Sequence, residues 1–146
     1  MIKSDEEILE RKINIQICKQ LQTINPFVLR EVRLHPCEMD IIVLDPNTLL
    51  LTALEIKRNK WRELLQQATR AKLYCHFSLA VMPNSKRDSI PLDDFLERGI
   101  GIVFYKRNGK KLDLLFDNKP QYSTIINRTF KQQIYLQFQT KYGEII

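Results

Sequence analysis

Glycine is scarce in this sequence, which has only four glycines among 146 residues. None of the four belongs to a GxGxxG or Walker pattern, the glycine-rich loops that bring backbone N–H groups against nucleotide phosphates. Apolar runs are also short, and none approaches the roughly 18–20 residues that a membrane-spanning helix needs. The sequence therefore argues against a nucleotide-binding enzyme of those two classes and against a membrane protein.

Cysteine is scarce as well, and Cys18, Cys37 and Cys75 are odd in number and widely spaced. This pattern suggests neither a disulfide framework nor a zinc site. The first ten residues are polar and acidic, with no apolar signal-peptide core and no arginine-rich transit segment. We therefore expect reduced thiols and a cytoplasmic protein. No Ser-His-Asp or Cys-His arrangement is visible either.

Acidic residues are nearly missing from two basic stretches. Residues 57–72 have a net charge of +5, because six basic residues face only Glu63, and residues 119–141 contain four basic residues and no acid. A polyanionic partner such as nucleic acid would match this charge. A solvated basic helix face is the alternative explanation.

The composition is that of one globular domain, with 44% hydrophobic and 27% charged residues, so residues 1–146 are predicted to form a single domain. Hydrophobic periodicity and turn residues predict the element order α-β-β-β-α-β-α-β-β-α, a mixed α/β fold. The predicted helices cover residues 4–22, 61–75, 92–97 and 123–140. The predicted strands cover residues 28–34, 39–44, 49–56, 77–82, 102–106 and 112–116.

Two of the apolar strands contain charged residues. Asp40 lies in the second strand, and Glu55 and Lys57 lie on one face of the third. Burying a charge is costly unless it is paired or binds a metal. The turn at residues 45–47 sets the register, and its length leaves two possibilities, in which Asp40 is paired either with Ala53 or with Glu55. Both make the two carboxylates neighbours, about 5–8 Å apart.

Two carboxylates at this distance repel each other, so their pKa values should rise unless a cation lies between them. Oxygen ligands with open coordination positions suit Mg²⁺ or Mn²⁺. Lys57 could add a positive charge beside an attacking water or a developing phosphorane. The three residues together predict a metal-dependent hydrolytic site.

This arrangement resembles the PD-(D/E)xK nuclease superfamily, which has the restriction-endonuclease-like fold. The resemblance rests on Asp40, fourteen further residues, and then Glu55-Ile56-Lys57, on a hairpin between two helices. It covers roughly residues 4–105. The sequence departs from the family pattern at Met39, where proline often precedes the aspartate.

The resemblance implies an αβββαβ core, with a central mixed sheet flanked by helices, and a Mg²⁺- or Mn²⁺-dependent phosphodiesterase. Asp40 and Glu55 would be metal ligands, and Lys57 the catalytic lysine. Members similar to archaeal Holliday-junction resolvases or RecB-type nucleases add a glutamate from helix one and a glutamine from the helix after the lysine strand. Gln67 looks like that glutamine, and Glu10 is preferred over Glu6 as the glutamate.

The predicted function is that of a small Mg²⁺-dependent endonuclease that hydrolyses phosphodiester bonds in DNA. No base-reading element is evident, so we expect the enzyme to recognise DNA structure rather than sequence. Five basic residues are expected to contact the phosphate backbone, which positions a protein without reading bases: Arg58, Lys60, Arg62, Arg70 and Lys72. A non-catalytic module that binds nucleic acid or a protein partner through the same fold is the alternative.

Structural roles remain open for the same residues. Asp40 and Glu55 could form buried salt bridges with Lys57, or Lys57 could extend to water from the end of its strand. Gln67 and Glu10 could be solvated helix residues. The C-terminal helix has an apolar stripe that could either form a homodimer interface or close the core of its own chain: Ile125, Ile126, Phe130, Ile134 and Phe138.

Overall fold

The computed structural model describes residues 5–34 and 37–144, and side chains from residue 9 onward within these ranges. The Glu6 side chain, the alternative to Glu10, lies outside this description. The helices are α1 (Asp5–Gln22), α2 (Trp61–Ala71), α3 (Leu92–Glu97) and α4 (Arg128–Tyr142). The strands are β1 (Val28–Leu34), β2 (Cys37–Leu44), β3 (Leu51–Ile56), β4 (Phe77–Pro83), β5 (Gly101–Asn108) and β6 (Lys111–Asn118).

The strands form one mixed sheet in which each strand neighbours the next one in the chain, from β1 to β6. β1, β2 and β3 are antiparallel, β3, β4 and β5 are parallel, and β6 returns antiparallel to β5. The predicted element order is confirmed, with a 3-10 helix at Asn84–Ser89 where a polar loop was expected. No helix within the described residues has the length and apolar composition needed to cross a membrane.

Helices cover both faces of the sheet. On one face, Ile17 of α1 packs against a cluster that includes Ile41 and Leu54. On the other face, Leu64 of α2 and Phe95 of α3 pack in a second cluster, and α4 joins a third. This arrangement confirms the mixed α/β fold with a central sheet flanked by helices, and it explains why β2 and β3 are apolar on both faces.

The apolar stripe of α4 closes the core of its own chain. Ile134 and Phe138 are fully buried against the β1–β3 part of the sheet, and Phe130 packs beside them with its ring stacked on Tyr74. Ile125, before the helix, is 47% exposed. Of the two alternatives for this stripe, the structure therefore favours the intramolecular one, and these three side chains are not available for a homodimer interface.

The β2–β3 connection is longer than the tight turn expected from residues 45–47. Asp45 holds the loop through two contacts: its Oδ1 accepts a hydrogen bond from Asn47 N (2.8 Å) and its carbonyl accepts one from Leu49 N (2.7 Å). Leu49 has a left-handed backbone (φ 62°), so β3 begins at Leu51 rather than at residue 49.

This loop sets the register of the hairpin. Ile41 lies opposite Leu54 and Ile42 opposite Ala53, and one further step along the strands places Asp40 opposite Glu55. The second of the two predicted registers is therefore the one observed.

Other boundaries differ locally. The helix α2 ends at Ala71 rather than at residue 75, because the next N–H groups turn back to carbonyls three residues earlier, as Leu73 N does to Arg70 O. The β5–β6 turn centres on Gly109-Lys110, since Asn108 pairs with Lys111, and Gly109 supplies the left-handed backbone (φ 62°).

The N-terminal helix is tied to the last strand of the sheet by two glutamine side chains. Gln20 makes a pair of hydrogen bonds with the backbone of Leu112, donating at 2.8 Å and accepting at 2.9 Å. Gln16 Nε2 donates to Lys110 O at 2.7 Å. Because α1 also packs on β1 and β2, it lies across the sheet from its first strands to its last.

Candidate active site

Asp40 and Glu55 lie side by side on the central strands β2 and β3. Glu55 is 1% exposed, and Asp40 is half-buried. Asp40 Oδ2 accepts a hydrogen bond from Ile56 N at 2.7 Å, which turns its carboxylate toward β3. The hairpin therefore brings together the two residues that the sequence predicted as metal ligands.

Burial makes ionisation of this pair unfavourable. Desolvation raises the pKa of Asp40 to about 6, although the Ile56 N–H and the charge of Lys57 act in the opposite direction. Desolvation also raises the pKa of Glu55 well above its usual value, and the neighbouring charge of Asp40 raises it further. A bound cation would reverse both effects because it favours the ionised carboxylates.

These side chains open into a cleft of about 290 Å³. Its lining includes all five predicted catalytic residues: Glu10, Asp40, Glu55, Lys57 and Gln67. The other lining residues are Arg11, Asn14, Glu31, Arg33, Glu38 and Ile56. Five acidic side chains therefore line the cleft together with three basic ones.

Lys57 lies just after β3, where its N–H donates to Val81 O at 3.1 Å and continues the pairing with β4. Its side chain is 20% exposed, and its Nζ lies 3.9 Å from Glu10 Oε2 and 3.6 Å from Glu63 Oε2. The other Glu10 oxygen, Oε1, accepts a hydrogen bond from Arg58 N at 3.1 Å. Glu10 is thus directed toward Lys57 and the chain that follows it.

Gln67 reaches the cleft from α2. It is half-buried beside the core positions Leu64 and Ala71, whereas Gln66 is exposed and does not line the cleft. Gln67, the glutamine that the resemblance implies, is therefore the one that faces the cleft. The role of its amide in catalysis stays a prediction.

Five polar lining residues were not predicted from the sequence. The sequence pattern does not distinguish three of them from ordinary surface residues: Arg11, Arg33 and Glu38. Glu31 has a left-handed backbone (φ 54°) that no sequence rule anticipates, and its carboxylate pairs with Arg30 Nη1 at 3.0 Å and Arg11 Nε at 3.7 Å. Asn14 was detectable from the sequence, because it is a polar residue on the helix face of Ile17. In the structure it is 4% exposed.

The five predicted DNA-contacting residues do not line the cleft. Lys60, Arg62 and Arg70 are exposed, and the Arg62 guanidinium lies 4.7 Å from the ring centroid of Trp61. Arg58 is half-buried beside the cleft residue Lys57. Lys72 is already used within the protein, since its Nζ donates to Arg98 O at 2.6 Å.

The residues of the cleft fit a hard divalent cation. Among the side chains that the structure describes, Glu55 Oε1 is a buried oxygen with no hydrogen-bond partner. An unpartnered carboxylate oxygen beside a second carboxylate is what Mg²⁺ or Mn²⁺ prefers as a ligand. In the same described part of the chain, no three His, Cys, Asp or Glu side chains form a metal-binding group.

Comparisons with known proteins bear on the fold. No family model matches the chain, and no curated protein matches it. A solved structure from Silicibacter pomeroyi, described as a protein of unknown function, aligns with 97% of this chain and 88% of its own, at 11% sequence identity and a TM-score of 0.60. The chain is thus similar in fold to that protein.

Proposed function

We propose that this protein is a metal-dependent nuclease that hydrolyses phosphodiester bonds in DNA. The proposal depends above all on one observation, the juxtaposition of Asp40 with Glu55, whose Oε1 is buried without a partner in the described structure, in a cleft that also holds Lys57. A pair of carboxylates with only a structural role does not require an unsatisfied buried oxygen, which is costly. A carboxylate that binds a cation does require an oxygen that no other group occupies.

Asp40 and Glu55 would hold the cation, Mg²⁺ or Mn²⁺. When bound, the cation supplies charge neutralisation at the scissile phosphate and lowers the pKa of a coordinated water. Their raised pKa values describe the protein without a cation, in which two crowded, desolvated acids resist ionisation. The predicted effect of cation binding is therefore to stabilise the fold as well as to enable hydrolysis.

Lys57 orients the attacking water and stabilises the negative charge that develops on the phosphate. Its Nζ is kept in place by Glu10 and Glu63, at 3.9 and 3.6 Å. These partners limit the rotamers of the ammonium, so its charge is in place before the substrate arrives. Gln67, which reaches the cleft from α2, would position the water or the Lys57 ammonium through its amide.

The cleft is lined by more acidic than basic side chains, so the positive charge that could hold the DNA backbone lies outside it. Lys60, Arg62 and Arg70 supply exposed positive charge on and beside α2. Contacts of this kind track a phosphate backbone and carry no sequence information. This supports cleavage of DNA by structure, such as a junction, flap or end, rather than by sequence.

A salt titration tests the DNA contacts. If Lys60, Arg62 and Arg70 each neutralise one phosphate, the logarithm of the binding constant should fall with the logarithm of the salt concentration, with a slope of about −3. Arg62→Glu and Arg70→Glu should weaken binding to all DNA sequences alike. The control is Lys110→Glu, an equal charge change in the β5–β6 turn, away from α2. Binding that does not respond to salt contradicts the proposal.

A thermal melt tests the cation. Mg²⁺ or Mn²⁺ should raise the melting temperature, because a ligand that binds only the native state stabilises it by about 2.7 kcal/mol at a hundred times its Kd. The increase should vanish in Asp40→Asn and persist in Asp93→Asn, which removes an equal charge from the exposed surface of α3. Equal increases in all three proteins would mean that the cation binds elsewhere.

A non-catalytic binding module is the second candidate. The observation that favours it is the engagement of Lys57 by two glutamates, which is also what a structural lysine would show. A module of this kind would bind DNA with the same salt dependence and would cleave no substrate. Incubation with supercoiled plasmid and with branched and linear oligonucleotides, in Mg²⁺, Mn²⁺ or EDTA, separates the two.

A further inference from the structure

Asn14 has a buried amide oxygen that the proposed catalytic roles do not use. Its side chain is 4% exposed and lines the cleft. Within the described structure, Asn14 Oδ1 and Glu55 Oε1 are the two buried side-chain polar atoms that lack a hydrogen-bond partner. Both residues line the same cleft.

The hydrogen bond of the Asn14 amide nitrogen fixes the orientation of the amide group. Asn14 Nδ2 donates to Asp40 O, the main-chain carbonyl, at 3.3 Å. Rotating the amide by half a turn would place Oδ1 against that carbonyl, and two oxygen acceptors cannot hydrogen-bond to each other. The amide oxygen therefore has to point away from the backbone of β2.

Glu10, four residues earlier on α1, is already engaged. Its Oε1 accepts a hydrogen bond from Arg58 N, and its Oε2 lies 3.9 Å from Lys57 Nζ. Both oxygens therefore already have positively polarised partners. On α1, the side-chain oxygen that remains available to a cation near Asp40 and Glu55 is therefore that of Asn14, and not those of Glu10.

We propose that Asn14 Oδ1 is a third protein ligand of the divalent cation held by Asp40 and Glu55, and that Glu10 instead positions Lys57. This inference rests on the proposed function. An amide oxygen is a normal ligand for hard divalent cations.

Titration calorimetry with Mn²⁺ alone, in the absence of DNA, tests the assignment. Asn14→Leu removes the oxygen and should lower Mn²⁺ affinity about tenfold or more. Asn14→Asp keeps an oxygen at the same place and should bind Mn²⁺ at least as tightly as the wild type. Glu10→Gln, which keeps the side-chain shape, should leave the affinity little changed.

The two Asn14 variants separate a ligand from a structural amide. Both lose the hydrogen bond to Asp40 O, so a purely structural Asn14 predicts that both bind Mn²⁺ more weakly. Gln67→Glu adds the same charge elsewhere in the cleft and controls for simple attraction: Asn14→Asp should raise the affinity more. If Asn14→Leu does not fold, the comparison of Asn14→Asp with Gln67→Glu and the wild type decides the question.

The outcomes are distinct. A wild type that binds Mn²⁺, with Asn14→Leu unchanged or Asn14→Asp weakened as well, overturns the assignment of Asn14 and leaves the nuclease proposal standing. A loss of affinity in Glu10→Gln equal to that in Asn14→Leu overturns the separate roles of the two residues. A wild type that binds no Mn²⁺ at millimolar concentration overturns the nuclease proposal itself, and the ligand role of Asn14 with it.

Discussion

Asp40→Asn and Glu55→Gln are each expected to reduce DNA cleavage to background while leaving the protein folded. The substitutions keep the shape of the side chains and remove the charge that would hold the cation. DNA affinity should stay similar or rise, because the loss of a negative charge lessens repulsion of the phosphates. Cleavage, DNA binding and thermal melts in EDTA, measured on the same preparations, check all three expectations.

The stability of these variants distinguishes a metal site from a structural ion pair. Desolvation raises the pKa values of both acids, and the charge of Asp40 raises that of Glu55 further, so removing one charge should leave the metal-free protein as stable as before or more stable. If the carboxylates were instead the structural partners of Lys57, removing one would strand a buried charge and cost roughly 3–5 kcal/mol. Asp93→Asn on the exposed surface of α3 is the matched control and should cleave normally.

Lys57→Ala is expected to stop cleavage by a different route. An ammonium group is not a metal ligand, so cation binding should remain largely intact. The loss of one preorganised charge at the reacting phosphate lowers the rate by about 10²–10³-fold. The variant should therefore still show the rise in melting temperature with Mn²⁺ while turnover collapses.

Two further variants serve as controls for this prediction. Lys110→Ala removes an exposed lysine from the β5–β6 turn and should cleave at the normal rate. Lys57→Arg keeps the charge but changes its shape and hydration, so it should restore only part of the activity. A Lys57→Ala protein that cleaves DNA normally would show that the lysine serves only as an ion-pair partner of Glu10 and Glu63.

The fold and the centre of the site were accessible from the sequence for a simple reason. Charges inside apolar strands are rare, so Asp40, Glu55 and Lys57 stand out from the hydrophobic pattern around them. The hairpin register was not accessible, because it depends on the length of the loop after Asp45. That length is set by the left-handed backbone of Leu49, and a leucine in the sequence does not predict such a backbone.

The outer wall of the cleft was not predicted, because its residues are ordinary in sequence. Arg11 and Glu31 belong to different elements, and only the packing of α1 on β1 brings them together. Asn14 was visible as a polar residue on an apolar helix face. Its importance depends on an amide oxygen without a hydrogen-bond partner, and the sequence does not show which buried polar atoms lack a partner.

The two glutamines that tie α1 to the C-terminal hairpin have a consequence for the order in which the cleft is completed. The strands can pair one after another as they occur in the chain, but the contact of Gln20 with Leu112 closes a loop of 92 residues. Contacts of such separation lose the most chain entropy, so they are favoured only once the intervening sheet has formed. Glu10 and Asn14 lie on that same helix, which also packs on β1 and β2, so docking of the β5–β6 hairpin adds the last of the contacts that hold this wall of the cleft in place.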